Sequence, residues 1–179
     1  MEFLLFTTAV VITFWIAYSA LFVLVPMFFT GVPVRPTMAV FYSLLLIASL
    51  NILFGAIQLL IPEPFWANRF QHTMGGVVAF VMFFLVVRDT RTALTRLQFF
   101  ILGFLIVTAL GVANELLEFF LQQTTGIIFN DDIFDTWLDL FSNTNGALLA
   151  GGLLTMLIPR NKAEKLPDDN PASKYYYMQ

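Results

Sequence analysis

The chain has 179 residues, a formal net charge of −3, no cysteine, 12% charged residues and 59% hydrophobic residues, with a mean hydropathy of +0.81. A soluble domain of this size has no interior large enough for that apolar content, and the charged share is about half the usual globular one. The composition therefore excludes an ordinary soluble fold. The missing cysteines exclude disulfides, thiolate metal ligands and a cysteine nucleophile.

A membrane-spanning helix needs roughly 20 mostly apolar residues. Five windows qualify, which predicts an all-α polytopic membrane bundle in a single domain, residues 1–158. The first window, 3–29, lacks a basic leading segment and is longer than a signal-peptide core, so it reads as a retained helix. Pro26 falls near its end, where a proline costs little. The second window is 37–62. The third, 70–87, is short, with Arg69 just before it and His72 at its start. The fourth, 97–121, ends in acids. The fifth, about 133–158, contains "DTWLDLFSNTNGALLAGG" (135–152), which puts Asp135, Asp139, Asn143 and Asn145 into an apolar segment. The tail 159–179 is polar and Pro-rich and reads as mobile.

Orientation follows from the basic residues. With five spans, Arg35, Arg88, Arg91, Arg96, Arg160, Lys162, Lys165 and Lys174 share one side, and Arg69 alone is left on the other. The N-terminus is then outside and the C-terminus cytoplasmic. A short loop with Trp66 and the loop 122–132, with Asp131 and Asp132, face outward. The short connections predict antiparallel neighbours. Gly75, Gly76, Gly146, Gly151 and Gly152 offer smooth faces for close helix approach.

At 1.5 Å per residue, this topology carries the polar groups of three helices to the outer half of the bilayer. They are Arg69 and His72, then Asn114, Glu115 and Glu118, then Asp135, Asp139 and Asn143. Nothing comparable is expected in the cytoplasmic half. Glu115 and Glu118 are spaced i, i+3; Asp135, Asp139 and Asn143 are spaced i, i+4, i+8. Each set lies along one helix face. An ionised carboxylate facing lipid at depth costs at least a few kcal/mol, so these faces should turn inward and meet. Structural roles stand beside functional ones: amides and acids as interhelical glue, Asp135 as a first-turn charge favoured by the helix dipole, Asp131 and Asp132 as a solvated loop. Trp66 and Trp137 read as interface anchors, and the Phe pairs at 28, 83, 99 and 119 as lipid-facing or packing residues. For Glu115, Glu118 and Asp139 the functional reading is favoured, because ionisable groups inside a span are seldom only structural.

The run "ELLEFFLQ" (115–122), followed by Asp139-x3-Asn143-x2-Gly146, resembles the signature of VanZ-like membrane proteins. A related set of bacterial inner-membrane proteins adds an upstream R-x-x-H…G and a D-T-x-x-D segment. Arg69, His72 and Gly75/Gly76, then Glu115, then Asp135, Thr136 and Asp139 are similar to that pattern, over residues 65–155. VanZ-like proteins commonly carry an arginine in the loop before the D-x3-N helix, whereas 122–138 here has none; that role is absent or passes to Arg69. The resemblance implies a multi-pass protein of the bacterial inner membrane, within the cell envelope. It implies no particular activity.

Three functions fit. In the first, Glu115, Glu118, Asp139 and His72 hold a divalent cation, Mg²⁺ or Mn²⁺ by the oxygen-rich donor set, or bind the head group of a lipid-linked envelope precursor. Arg69, Asp135, Asn114 and Asn143 would complete the binding site, with His72, Glu115 and Asp139 as candidate catalytic groups. In the second, the protein is a non-catalytic subunit of a larger membrane complex. The third, a small proton-coupled carrier, would add Asn51 and Gln58 but lacks an inverted repeat. Whether the protein is an enzyme stays open. A single histidine excludes a His-rich haem or di-iron site, no Cys/His set points to structural zinc, and the basic residues form no nucleic-acid footprint; membrane lipids are the expected surroundings.

Overall fold

The computed structural model describes residues 2–32, 34–126 and 133–158. The predicted loop acids Asp131 and Asp132, and the tail with Arg160, Lys162, Lys165 and Lys174, lie outside the described residues. Five helices follow in order: α1 (Glu2–Thr30), α2 (Met38–Gln58), α3 (Pro64–Asp89), α4 (Arg96–Thr125) and α5 (Ile133–Thr155). No strand occurs among the described residues. Four helices, α1 to α4, are long and apolar enough to cross a membrane. α5 has 23 residues, enough in length, but Asp135, Asp139, Asn143 and Asn145 keep it too polar to qualify on composition.

The chemistry at the helix ends explains where they fall. α3 starts at Pro64, not near 70, because proline suits the first helical turn, where an amide donor would be unpaired anyway. Hydropathy places the start too late because Asn68, Arg69, Gln71 and His72 are polar yet helical. Trp66 and Arg69 are therefore helical residues and not part of a loop. α2 ends at Gln58, short of 62, with Pro62 ahead. α4 opens with a capping box in which Thr95 and Gln98 satisfy each other's main-chain amides, and it closes at Gly126 with φ 71°.

α3 is the hub of the bundle. It packs against all four other helices, most extensively against α5, whereas neither α1 nor α2 packs against α4 or α5. Half of its apolar window is buried, against 17% to 22% for the other three spans. Neighbours on every side shield it from lipid, so α3 can carry polar groups that a peripheral span could not. Contacts advance in the same direction along α3 and α5: Arg69 meets Asp135, His72 meets Asp139, and the Gly151 Cα site lies against Phe80. α4 runs opposite to α3, with His72 against Glu115 and Phe83 against Phe99.

Gly76 lies directly against the main chain of Asn143, and Gly146 against that of Thr73, so neither position has room for a Cβ. These two approaches bring α3 and α5 into backbone contact. Further along, Phe80, Phe83 and Phe99 are fully buried and ring-packed at 5.4 to 6.2 Å. The Phe pairs thus divide: Phe83 and Phe99 form core, while Phe28 and Phe119 are exposed.

Candidate functional site

The first turns of α3, the last turns of α4 and the first turns of α5 meet at one end of the bundle. Arg69 Nη2 is 2.9 Å from Asp139 Oδ1 and also pairs with Asp135 Oδ1. Its Nη1 donates to the Asp135 carbonyl oxygen at 3.3 Å. Asn68 Nδ2 donates to both acids, at 3.3 Å each. His72 Nε2 is 3.2 Å from Asp139 Oδ1. On the other face of the ring, His72 Nδ1 is 3.3 Å from Asn143 Nδ2 and 3.9 Å from Glu115 Oε1. The ring roles depend on the tautomer: with the amide donating to Nδ1, the proton sits on Nε2 and faces Asp139, and a cation ligated by Nδ1 would take the place of the amide.

Arg69, His72, Glu115, Asp135, Asp139 and Asn143 are therefore within one constellation. The side chains of Asp139 and Glu115 are only 2% and 7% exposed. Glu118 and Asn114 stand apart: Asn114 Nδ2 donates to Glu118 Oε1 at 2.7 Å on the exposed side of α4. Asn51 donates to the Ile47 carbonyl of its own helix. Trp66 and Trp137 are exposed, at 63% and 66%.

Two groups were not singled out by sequence reasoning. Asn68 is one; it looks like an ordinary amide ahead of a span. The larger omission is at the opposite end of α3, where no polar cluster was expected. Asp89, with a side chain 2% exposed, accepts from Tyr18 at 2.8 Å and from Ser43 through Oδ2, and from Arg88 Nε at 2.9 Å through Oδ1. Tyr18 and Ser43 are almost fully buried. This set ties α1 and α2 to the hub. It lies about 25 Å from His72, taking 1.5 Å per residue along α3, so α3 holds a buried polar cluster near each end. The acid beside Arg88 was the available signal, since it interrupts an otherwise basic turn.

The two clusters differ in satisfaction. Asp89 has a donor on each oxygen. At the other site, Glu115 Oε1 and Arg69 Nε are buried without a hydrogen-bond partner. One ligand atom from each of His72, Glu115 and Asp139 lies within 4.8 Å of the other two. Metal bonds of about 2.1 Å separate opposite ligands by about 4.2 Å, so these three groups are close to the spacing a small cation requires.

Residues 3–160 match the family described as "Predicted membrane protein (DUF2238)". The chain belongs to that family. Its apolar helices make it a multi-pass membrane protein. No curated protein matches the chain, and no solved structure matches it.

Proposed function

We propose that this DUF2238 member holds a hard divalent cation, Mg²⁺ or Mn²⁺, between α3, α4 and α5, with His72, Glu115 and Asp139 as protein ligands. One observation carries the reading: Glu115 Oε1 is buried with no hydrogen-bond partner and sits 3.9 Å from an imidazole nitrogen. A buried acceptor left bare costs about 1–3 kcal/mol, more when charged; a cation removes that cost. Charge favours the same answer. Glu115, Asp135 and Asp139, with the charge of Glu118 close enough to act on two of them, face Arg69 alone, a surplus of at least two negative charges when all are ionised and His72 is neutral. Arg69 is already engaged by two acids, which supports a cation over the phosphate of a lipid-linked envelope precursor. Five spans, an outside N-terminus and a cytoplasmic C-terminus belong to this proposal and put the site in the outer half of a bacterial inner membrane. The likeness to VanZ-like proteins belongs to it too: those proteins commonly carry an arginine in the loop before the D-x3-N helix, and here Arg69, from α3, pairs with the acids of that helix.

The test is Mn²⁺ titration of the purified protein in detergent, followed by electron paramagnetic resonance, with Glu115→Gln and Asp139→Asn alongside. Bound Mn²⁺ with an immobilised spectrum is expected, displaced by Mg²⁺, and weakened at least about tenfold in each variant. Folded wild-type protein that leaves Mn²⁺ free in solution sinks the reading. The alternative, a non-catalytic accessory subunit, is favoured by an open apolar groove of about 380 Å³ between α1 and α4, lined by Leu21, Val25, Phe28, Leu102 and Ile106. Under that reading a stoichiometric partner co-purifies, and the same two variants lower yield and assembly without affecting Mn²⁺.

A further inference from the structure

At the end of the bundle remote from the proposed cation site, a groove of about 430 Å³ opens between the α3–α4 connection and the last turn after α5. Phe84, Val87, Leu94 and Leu157 give it an apolar lining, and Arg88 and Arg91 are the cations on it. Arg96 donates to the carbonyl oxygens of Ile158 at 3.0 Å and Met156 at 3.2 Å, which fixes the α5 wall. We propose that this groove binds an anionic phospholipid, with the phosphate at Arg91 and Arg88 and an acyl chain along the apolar lining.

Arg91 supplies the specific argument. Its guanidinium is exposed and has no partner among the described residues. Its main chain closes α3 in a Schellman turn: Thr92 N donates to the Val87 carbonyl at 3.1 Å, and Arg91 N to the Arg88 carbonyl at 3.2 Å. In that motif Arg91 takes the left-handed position, φ 53°, where glycine is the usual residue. An arginine there costs stability that glycine would spare, so the gain must come from its side chain. Arg88, 52% exposed, presents the second cation while its other contacts go to Asp89 and Ser43. A basic rim over an apolar floor between helix ends matches the chemistry of an acidic head group joined to a hydrocarbon chain.

The backbone also provides a clean variant. Arg91→Gly removes the charge while keeping, and easing, the turn. Native mass spectrometry of the purified full chain with phosphatidylglycerol and phosphatidylcholine should show one phosphatidylglycerol retained in preference. Arg91→Gly should lower that retention about fivefold without lowering the melting temperature, and Arg35→Gln, an exposed arginine outside the groove, should leave it unchanged. Equal retention of both lipids overturns the proposal. So does an equal loss in Arg35→Gln, which would indicate general surface attraction, or full competition by inorganic phosphate, which would remove any role for the chain.

Discussion

Gly76 on α3 and Asn143 on α5 meet backbone to backbone, with no space for a methyl group between them. The contact positions the site directly, since Asn143 also faces His72. Gly76→Ala must push α5 away, and overpacking of this kind costs about 1–3 kcal/mol. Gly146→Ala, whose Cβ would meet the Thr73 carbonyl, should cost the same. At Gly75 and Gly111 an added Cβ would lie 3.5 Å from the nearest Asn143 atoms, ordinary contact, so alanine there should be tolerated. Thermal melts of the four variants in one detergent check the contrast; equal melting temperatures would mean that α3 and α5 do not touch as described.

Arg69 is the only cation within reach of both Asp135 and Asp139 among the described residues. Removing it by Arg69→Met leaves two carboxylates facing Asn68 and a histidine. Loss of one partner from a buried ionic set costs about 3–5 kcal/mol. Arg69→Lys should fall between, because a point charge cannot serve both acids and the Asp135 carbonyl as the planar fork does. Asp135→Asn should be mild, since that side chain is 30% exposed and water can replace much of what is lost. The expected order of melting temperatures is wild type, Asp135→Asn, Arg69→Lys, Arg69→Met; a melting temperature for Arg69→Met at the wild-type value would show that the pairing contributes nothing.

The helices and the relative level of their polar residues were legible because both follow from apolar run length and residue spacing. The convergence of Arg69, His72, Glu115 and Asp139 was legible for the same reason, as acids in apolar spans have few places to go. Helix boundaries were less so: polar Asn68 to His72 hid the first turns of α3, whose start depends on Pro64. Glu118 shares its i, i+3 spacing with Glu115 but pairs with exposed Asn114, a distinction that depends on helix rotation and not on spacing. Asp89 beside Arg88 was the one visible mark of its cluster; the partners were illegible, because Tyr18 and Ser43 are 71 and 46 positions from the acid in sequence and each looks ordinary alone. A tyrosine in a greasy helix, a serine in another and an acid beside an arginine acquire meaning only once α1 and α2 are seen against α3.

Tyr18 and Ser43 should behave as anchors of α1 and α2. Each donates a hydroxyl to the same Asp89 oxygen, and hydrogen bonds to a charged group are worth about 1.5–3 kcal/mol. Tyr18→Phe and Ser43→Ala should each destabilise by about that amount. Asp89→Ala, which strips the acceptor from both at once, should cost more. The double variant Tyr18→Phe with Asp89→Ala should lose less than the sum of the two single losses, by about 0.5 kcal/mol or more, in the manner of groups sharing one network. Strict additivity in the denaturation midpoints would show that the tyrosine and the acid act independently.

Arg96 holds the turn that follows α5, at the end opposite the proposed cation site, through the carbonyls of Met156 and Ile158. Carbonyls in the turn just past a helix have no ladder donor, and a guanidinium that reaches them holds the turn in place. Arg96→Ala should therefore fray the segment 153–158 while leaving the contacts from Arg69 to Asn143 in place. Hydrogen exchange should read this as faster exchange confined to the end of α5, with a global loss of only about 1 kcal/mol. Because Leu157 and Ile158 line the groove beside Arg91, the same variant should weaken phosphatidylglycerol retention without affecting Mn²⁺. If exchange instead rises throughout α5, its two ends are a single cooperative unit, and the separation between the two sites disappears.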